Sequence, residues 1–319
     1  MPKILVIGAT GQVGRSLKDI VHSNLDLDVH YTGLNKAYFQ FSSRTPKGDE
    51  IALDLNAPEA DIMSILDGLK PSIIINAAAW TAVDLAEEKK EEAFKSNAEA
   101  PGTLARWAVK NHAHLIHFST DYVFDGSLHT PRAEDAPTDP LQVYGRSKLL
   151  GEHHILSAMP DGIILRTSWV FSEHGTNFLK TMLRLGKDRE ELNVVRDQIG
   201  APTAAFTLAD VSLRFASMLL PSNDPNVQKS MGGIYHVASR GETNWYEFAC
   251  EIFKEAQKLE FPLKIKTIKP ILSSQYPTPA QRPMNSRLDL TKVEKTLGIS
   301  LPDWRECMIQ VLLDLRKNI

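Results

Sequence analysis

A tyrosine and a lysine four residues apart, Tyr144 and Lys148, are the pair in this sequence best suited to acid–base chemistry. The pattern around them predicts a helix over 144–158, and residues at this spacing share one helix face, so both groups can reach one ligand. An isolated tyrosine has a pKa of about 10 and is a poor acid at neutral pH. A neighbouring ammonium stabilises the phenolate and lowers that pKa, which suits proton transfer to a carbonyl oxygen. The alternative is a half-buried tyrosine beside a surface lysine.

Two hydroxyl residues and a carboxylate lie upstream of this pair, at Ser119, Thr120 and Asp121. They end or follow the apolar stretch 115–119, which predicts a buried strand. Ligands of open α/β sheets bind beyond the carboxyl ends of the strands, so these side chains face the expected ligand. A hydroxyl in this position can donate a hydrogen bond to the negative oxygen that develops when a carbonyl is reduced.

A glycine turn follows the first predicted strand, Lys3–Ile7, and leads into a predicted helix over 13–21. Gly8, Gly11 and Gly14 form the pattern G-x-x-G-x-x-G. Glycine permits a tight turn and lets the backbone approach a pyrophosphate, whose charge the free N–H groups of the next helix attract. The sequence therefore predicts a nicotinamide dinucleotide, NADPH or NADH, as cofactor. A turn that serves packing alone is the alternative.

The choice between the two cofactors depends on the residue that reads the adenosine ribose after the second strand, for which we predict residues 29–32. No carboxylate stands in the following Gly33-Leu34-Asn35-Lys36, so the acceptor typical of NADH specificity is missing. Lys36 or Arg44 could bind a 2′-phosphate, which favours NADPH and leaves the use of both cofactors open. Solvated surface charges are the alternative for these two cations.

Two further strand ends carry predicted cofactor contacts. Asp54 and Leu55 follow the third predicted strand and suit the adenine edge. Ala78 and Ala79 follow the fourth, and their small side chains let the backbone pass close to the ribose and phosphates. Close packing of a helix on the strand would also require small residues there.

The elements that must position these residues alternate between strand and helix in the first half of the chain, which predicts an α/β fold with a doubly wound parallel sheet of Rossmann type. We expect a cofactor domain over 1–170, with later contributions from about 200–238, and a smaller C-terminal α/β substrate lobe formed by 171–199 and 239–319. A proline-rich loop spans Pro270 to Pro283. Strands are predicted at 3–7, 29–32, 51–53, 72–77, 115–119, 162–167 and 233–238. Helices are predicted at 13–21, 60–69, 87–111 with an interruption at Pro101, 144–158, 178–185, 209–220, 245–258 and 305–317.

Composition excludes several classes of protein. The 319 residues carry a formal net charge of −3 and no long Lys/Arg run, which argues against a nucleic-acid binder. The two cysteines, Cys250 and Cys307, form neither a disulfide framework nor a metal motif and favour a reducing compartment. The N-terminal apolar run is too short for a signal peptide, and no stretch is long enough for a membrane span. We therefore expect a cytoplasmic protein with a small-molecule substrate and no protein-bound metal.

Seven motifs together resemble the dTDP-4-dehydrorhamnose reductases, a family of extended short-chain dehydrogenase/reductases. The resemblance covers essentially the whole chain, and its last three motifs are the most specific. The motifs are GATGQVG, NAAAWTAVD, STDYVFDG, YGRSKLLGE, RTSWVF, DQIGAPT and YPTPAQRPMNSRLD.

The resemblance implies a role for each matching residue. Tyr144 would be the proton donor, Lys148 its partner and a ribose ligand, and Thr120 the third catalytic group. A core tryptophan is the alternative for Trp169, and structural ion pairs are the alternative for Arg282 and Arg287. The implied cofactor contacts also include Gly11, Gln12, Val13, Gly14, Ala78, Ala79 and Thr81, and the implied substrate contacts are Thr120, Asp121, Trp169, Arg282, Asn285 and Arg287.

The implied activity is reduction of the 4-keto group of dTDP-4-dehydro-L-rhamnose by NADPH or NADH, in a monomer or homodimer. Two alternatives stay open: reduction of a related nucleotide 4-keto-sugar, and a non-catalytic role like that of the regulatory subunit of methionine adenosyltransferase. Some family members dimerise through Mg²⁺ held partly by a glutamate of the first helix. The matching stretch here, Gly14-Arg15-Ser16-Leu17, has no carboxylate, so we do not expect a metal-bridged dimer.

Overall fold

The computed structural model describes residues 1–23, 34, 37–220 and 230–317. In these residues a seven-stranded, all-parallel sheet runs in the order β11-β6-β5-β4-β1-β2-β3. The order reverses beside β1, which is the arrangement of doubly wound dinucleotide-binding sheets and confirms the predicted fold class. The strands are β1 (Lys3–Ile7), β2 (Tyr38–Ser43), β3 (Ile51–Ala52), β4 (Ile73–Asn76), β5 (His114–Thr120), β6 (Ile163–Thr167) and β11 (Gly233–His236).

Helices cover both faces of the sheet and bury two apolar clusters against it. Leu17 and Leu208, from separate helices, belong to the cluster on one face, and Leu66 and Trp107, also from separate helices, belong to the cluster on the other. No helix in the described ranges is both long and apolar enough to cross a lipid bilayer. The flanking helices are α1 (Gln12–Ser23), α2 (Glu59–Leu69), α3 (Val83–Ala86), α4 (Lys90–Phe94), α5 (Ala100–Lys110), α6 (Val143–Ala158) and α8 (Ala205–Leu219).

The strand beside β1 corrects the sequence analysis. That strand is β2, Tyr38–Ser43, which was not predicted, whereas the predicted strand at 29–32 lies outside the described residues. Its first residues are exposed or half-buried and its last three are buried, so it lacks the continuous apolar pattern of its neighbours. Arg44 therefore stands directly after the strand whose end was expected to face the adenosine ribose.

The predicted helix at 87–111 is also corrected, because the structure breaks it into shorter helices. A five-residue π-helical segment, Lys95–Glu99, separates α4 from α5. This segment turns Asn97 inward, where its amide contacts both backbone groups of Trp80 and donates to Ser147 Oγ at 3.0 Å. Pro101 lies in the first turn of α5 and does not interrupt the helix as predicted, because the π-helical segment runs directly into α5.

A separate apolar cluster forms under the C-terminal half of the chain. It packs α7 (Phe178–Asp188) and α9 (Trp245–Lys258) with α11 (Trp304–Arg316) around Phe248 and Trp304. A parallel strand pair, β8 (Glu191–Val195) with β13 (Thr267–Ile271), covers it. Pro270 therefore lies in a strand rather than in the predicted proline loop, which an edge position in a two-stranded sheet permits. Shorter elements are β7 (Val170–Phe171), β9 (Ile199–Gly200), β10 (Thr203–Ala204), β12 (Thr243–Asn244) and α10 (Thr291–Leu297).

Candidate active site

A cavity of about 710 Å³ opens at the carboxyl ends of the sheet strands. It collects most of the predicted catalytic and cofactor residues, because the ends of β1, β4, β5 and β6 meet at one edge of the sheet. Gly14 is not among its lining residues. The predicted residues that line it are Gly8, Gly11, Gln12, Val13, Asp54, Leu55, Ala78, Ala79, Thr81, Ser119, Thr120, Asp121, Tyr144, Lys148 and Trp169.

The glycine turn is packed too closely for any larger residue. Gly8 has a φ of 93°, and a Cβ added there would lie 2.7 Å from the amide nitrogen of Ala78. A Cβ on Gly14 would collide with the carbonyl oxygen of Gly8, so this glycine lets α1 begin against the turn. Gly11 closes the turn by donating its N–H to the Gly8 carbonyl at 3.0 Å. A bare backbone cradle beside a helix N-terminus fits a dinucleotide pyrophosphate.

Gln12 joins the turn to the C-terminal half of the chain. Its Oε1 accepts hydrogen bonds from Ser172 Oγ at 3.0 Å and from Asn177 Nδ2 at 2.8 Å. Asn177 also caps α7, because its Oδ1 accepts from the N–H of Lys180 at 3.1 Å. The floor of the cofactor cradle is thus tied to the start of a helix in the second apolar cluster.

Among the described residues, Arg44 and Asp54 line the end of the cavity where we expect the adenosine, and they are paired with each other. Lys36, the other predicted cation, lies outside the described residues. Arg44 Nε lies 3.0 Å from Asp54 Oδ2, and the arginine side chain is 72% exposed. Asp54 Oδ1 also accepts the N–H of Asn56 at 2.9 Å. A bound 2′-phosphate would find Arg44 at the strand end but would have to share it with Asp54.

Thr120 and Asp121 form a buried hydrogen-bonded pair, which the partly buried Tyr144 contacts through Thr120. Thr120 Oγ1 donates to Asp121 Oδ1 at 3.0 Å and accepts the N–H of Tyr122 at 3.1 Å. Burial raises the pKa of Asp121 to about 7, although hydrogen bonds from Ser286 and Thr120 oppose that rise. The carboxyl group therefore titrates close to neutral pH.

The pKa of Tyr144 is shifted in the direction opposite to the sequence expectation. Burial, and then the charge of Asp121, raise the pKa of the phenol, while a hydrogen bond with Thr120 lowers it. In the protein without ligands Tyr144 is therefore fully protonated at neutral pH, and it holds a proton that it can donate. The ring of Tyr122 packs edge-to-face on it at 5.9 Å.

Lys148 is fully buried and fixed by two hydrogen-bonding partners. Its Nζ donates to the carbonyl oxygen of Phe118 at 2.6 Å and lies 3.1 Å from His117 Nε2. Burial lowers the pKa of Lys148 to about 8, and the charge of Glu152 opposes that fall. Ser119 Oγ donates to Glu152 at 2.5 Å, so the hydroxyl of Ser119 is bound to a buried carboxylate.

Trp169 forms one wall of the cavity together with a residue that the sequence analysis missed. Its backbone φ is 49°, and its ring stacks on Trp245 with centroids 3.6 Å apart. A Cβ on Gly200 would lie 2.7 Å from the Trp169 ring, so glycine makes room for this stack. Trp245 also lines the cavity, but it lies far along the chain and no local motif marks it. Thr167 is a second missed residue, with a buried hydroxyl that has no partner among the described residues.

The three predicted C-terminal substrate residues do not line this cavity. Arg282 forms a two-pronged ion pair with Asp84, at 2.6 and 2.8 Å, and borders a second cavity of about 600 Å³. Asn285 donates to the backbone carbonyl oxygens of Leu128 and Thr130. Arg287 pairs with Glu242 at 2.6 Å and donates to the carbonyl oxygen of His129. All three thus have protein partners.

Asp19, on α1, lies in a second cluster of polar groups outside the cavity. His174 Nε2 is 2.6 Å from Asp19 Oδ2 and 3.3 Å from Glu173 Oε1. The carboxylate that α1 lacks at 14–17 is thus present one turn later. The contacts of His174 thus join α1 to the loop after β7.

Comparisons with known proteins agree on one family. The family model described as the RmlD substrate binding domain matches residues 2–317. The dTDP-4-dehydrorhamnose reductase of Escherichia coli K12 is 39% identical over 98% of this chain and 97% of its own length. A dTDP-4-dehydrorhamnose reductase from Clostridium acetobutylicum is 33% identical, with a TM-score of 0.84 over 99% of both chains. The same enzyme from Bacillus anthracis, solved in complex with NADP, is 30% identical, with a TM-score of 0.82 over 98% of this chain and all of that one.

Proposed function

This chain belongs to the dTDP-4-dehydrorhamnose reductase family, and we propose that it reduces the 4-keto group of dTDP-4-dehydro-L-rhamnose to give dTDP-L-rhamnose. One observation carries the proposal beyond family membership. A single cavity brings the glycine turn together with Thr120, Tyr144 and Lys148, which the chain supplies from separate elements. A ketone bound there would meet a proton donor beside a dinucleotide cradle.

The chain's own residues would prepare the carbonyl for reduction. The turn of Gly8 and Gly11 would hold the pyrophosphate of NADPH or NADH, and the bound cofactor would supply a hydride to the keto carbon. Tyr144, kept protonated by burial, donates its proton to the keto oxygen. The ammonium of Lys148 stabilises the phenolate that remains, and Thr120 holds the substrate oxygen through its hydroxyl.

The sugar would lie against the stacked tryptophans. The rings of Trp169 and Trp245 offer an apolar face that suits the apolar face of a deoxysugar. The buried hydroxyl of Thr167 belongs to a residue that lines the same cavity, and it can bind a sugar oxygen. Asp121 would contact the same end of the substrate, while Arg282, Asn285 and Arg287 would act by holding the surrounding loops.

We favour NADPH over NADH as cofactor. Arg44 lines the adenosine end of the cavity directly after β2, where a 2′-phosphate would lie. The relative from Bacillus anthracis that was solved with NADP supports the same preference. The cofactor domain would comprise 1–170 with parts of 200–238, and the substrate lobe 171–199 and 239–319.

We propose a cytoplasmic monomer or homodimer. Cys250 and Cys307 are both free thiols, which fits a reducing compartment. We do not include Mg²⁺ among the proposed cofactors, because α1 has no carboxylate at 14–17, where the metal-bridged dimers of the family would need one.

The test supplies the purified protein with dTDP-4-dehydro-L-rhamnose and, in parallel, NADPH or NADH. We expect loss of the near-ultraviolet absorbance of the reduced cofactor, formation of dTDP-rhamnose, and a higher kcat/KM with NADPH. If the cofactor is oxidised only with another nucleotide 4-keto-sugar, that sugar replaces dTDP-4-dehydro-L-rhamnose as the proposed substrate. No oxidation by a folded protein that binds NADPH would favour the regulatory alternative.

A further inference from the structure

A row of buried polar side chains lies behind Lys148. Asn76 ends β4, His117 lies beside it on β5, and neither residue is exposed to solvent or lines the cavity. Asn76 Nδ2 is 3.0 Å from His117 Nδ1, and His117 Nε2 is 3.1 Å from Lys148 Nζ. Asn76 Oδ1 also accepts the N–H of Ala78, a cavity-lining residue, at 3.2 Å. The row therefore connects the lysine to the backbone of the cofactor cradle.

The protons in this row cannot be assigned independently. Burial, and then the charge of Lys148, hold the pKa of His117 well below its ordinary value, so the ring is neutral and carries one N–H. When Lys148 is charged it can only donate, so His117 Nε2 must accept and Nδ1 must carry the hydrogen. Asn76 must then turn its amide oxygen to the ring, and the N–H of Ala78 loses that oxygen as its acceptor. When Lys148 is neutral, the opposite tautomer fits, with the amide orientation given above, in which Asn76 Nδ2 faces the ring and Oδ1 accepts from Ala78.

Other groups around Lys148 have fixed partners. Glu152, one turn further along α6, receives two hydrogen bonds from Arg166, at 2.9 and 2.6 Å, and one from Ser119. Tyr144 lies one turn earlier and interacts with Asp121. The carbonyl of Phe118 accepts from Lys148 regardless of charge. Among these neighbours of Lys148, His117 is the one that has to change between hydrogen-bond acceptor and donor when the charge of the lysine changes.

We propose that His117 is a positioning residue for the proposed reduction: its Nε2 accepts the Lys148 ammonium, holds it at the cavity wall and keeps it charged at working pH. The inference rests on the proposed function only for its kinetic readout. His117 acts through the lysine, since it does not line the cavity.

The kinetic test compares His117→Leu with the wild type over a range of pH. Leucine removes the acceptor, which favours the neutral amine, so the high-pH limb of the kcat profile should move down by about one pH unit. KM for the nucleotide sugar should change little. His117→Gln restores an acceptor near the former Nε2 and should return the limb toward the wild-type position.

A matched control uses another histidine of the same region. His154, on α6, binds the carbonyl of Ala98 at 3.1 Å and does not line the cavity. His154→Leu should leave the limb where it is. Thermal melting and cofactor binding report on whether each variant is folded.

A spectroscopic test needs neither turnover nor a core substitution. In wild-type protein labelled with nitrogen-15 in histidine, the ring of His117, identified by its absence from His117→Gln, should stay neutral throughout. Its hydrogen should move from Nδ1 to Nε2 as Lys148 loses its proton.

Each result decides the matter separately from the proposed function. A ring that forms an imidazolium near its ordinary pKa, or a tautomer that does not change, would overturn the inference even if the protein reduces the sugar. A switching tautomer would support it even in a protein that does not reduce this substrate. A folded His117→Leu variant whose high-pH limb of the kcat profile does not move also counts against the positioning role of His117. If that variant does not fold, the kinetics of His117→Gln and the nitrogen-15 spectrum decide.

Discussion

The catalytic wall of the cavity and the C-terminal polar trio were both expected to bind ligands, and the structure treats them differently. The wall consists of Thr120, Asp121, Tyr144 and Lys148, which line one cavity. The trio, Arg282, Asn285 and Arg287, is bound to Asp84, to backbone carbonyls and to Glu242, outside the lining of that cavity. The wall is assembled by regular elements, the end of β5 and the helix α6 that packs beside it, whereas the arginines of the trio pair with nearby carboxylates.

The same comparison explains the electrostatics. In the wall, burial shifts the pKa values of Asp121, Tyr144 and Lys148, which is typical of groups arranged for chemistry. In the trio, the pKa of Arg282 is raised. Burial acts to lower this pKa, but the hydrogen bond and the charge of Asp84 raise it, as expected of a structural ion pair. The following predictions test this division.

The largest effect is expected from Tyr144→Phe. Removing the phenol proton should lower kcat by about 10²–10⁴-fold, the usual worth of general acid catalysis, with cofactor affinity unchanged. Steady-state kinetics and cofactor titration measure the two quantities. Tyr122→Phe makes the same chemical change on the adjacent ring and should cost less than about tenfold. Equal losses in the two variants would show that the wall has no dedicated acid.

Gly14→Ala should damage the cradle without touching the catalytic groups. The new Cβ meets the Gly8 carbonyl oxygen, so α1 must shift, and we expect the free energy of unfolding to fall by about 1–3 kcal/mol with weaker cofactor binding. Gly68→Ala, in α2, is the control, because its Cβ meets no atom within 4 Å and alanine favours the helix. Denaturant unfolding and cofactor titration provide the readout. Tight cofactor binding by Gly14→Ala would contradict the packing argument.

Trp245→Ala should affect the substrate rather than the cofactor. Losing the stack that supports Trp169 removes about 0.5–1.5 kcal/mol, so KM for the nucleotide sugar should rise roughly threefold to tenfold. Trp245→Phe keeps an aromatic face, so its KM for the nucleotide sugar should lie between those of the wild type and of Trp245→Ala. If KM for NADPH changes instead, the stacked wall belongs to the cofactor side.

The smallest effect is expected from Arg287→Ala. Loss of its pair with Glu242, which is 60% exposed, should lower the free energy of unfolding by about 1 kcal/mol or less and change KM by less than about threefold. Glu242→Gln breaks the same ion pair, so it should change the free energy of unfolding and KM by about as much as Arg287→Ala does. A rise in KM of more than tenfold in Arg287→Ala alone would show that the trio binds the substrate diphosphate and that the division is wrong.

The sequence predicted most of the sheet because its strands are continuous apolar runs bounded by glycine or polar residues. It failed at β2, whose exposed start hides the pattern, and at 87–111, where a π-helical segment interrupts a helix that local propensity favours. The roles of the individual site residues stay predictions, although their meeting in one cavity could be expected from their places after parallel strands.

By itself, the sequence determined the fold class, the cofactor cradle and the helical spacing of Tyr144 and Lys148, because each follows from residues close together in the chain. Tertiary structure alone decided that Trp245 stacks on Trp169, that Arg282 binds Asp84, and that His117 faces Lys148. It also decided the direction of the Tyr144 pKa shift. Burial and contacts between distant segments set these properties, and no local pattern encodes either one.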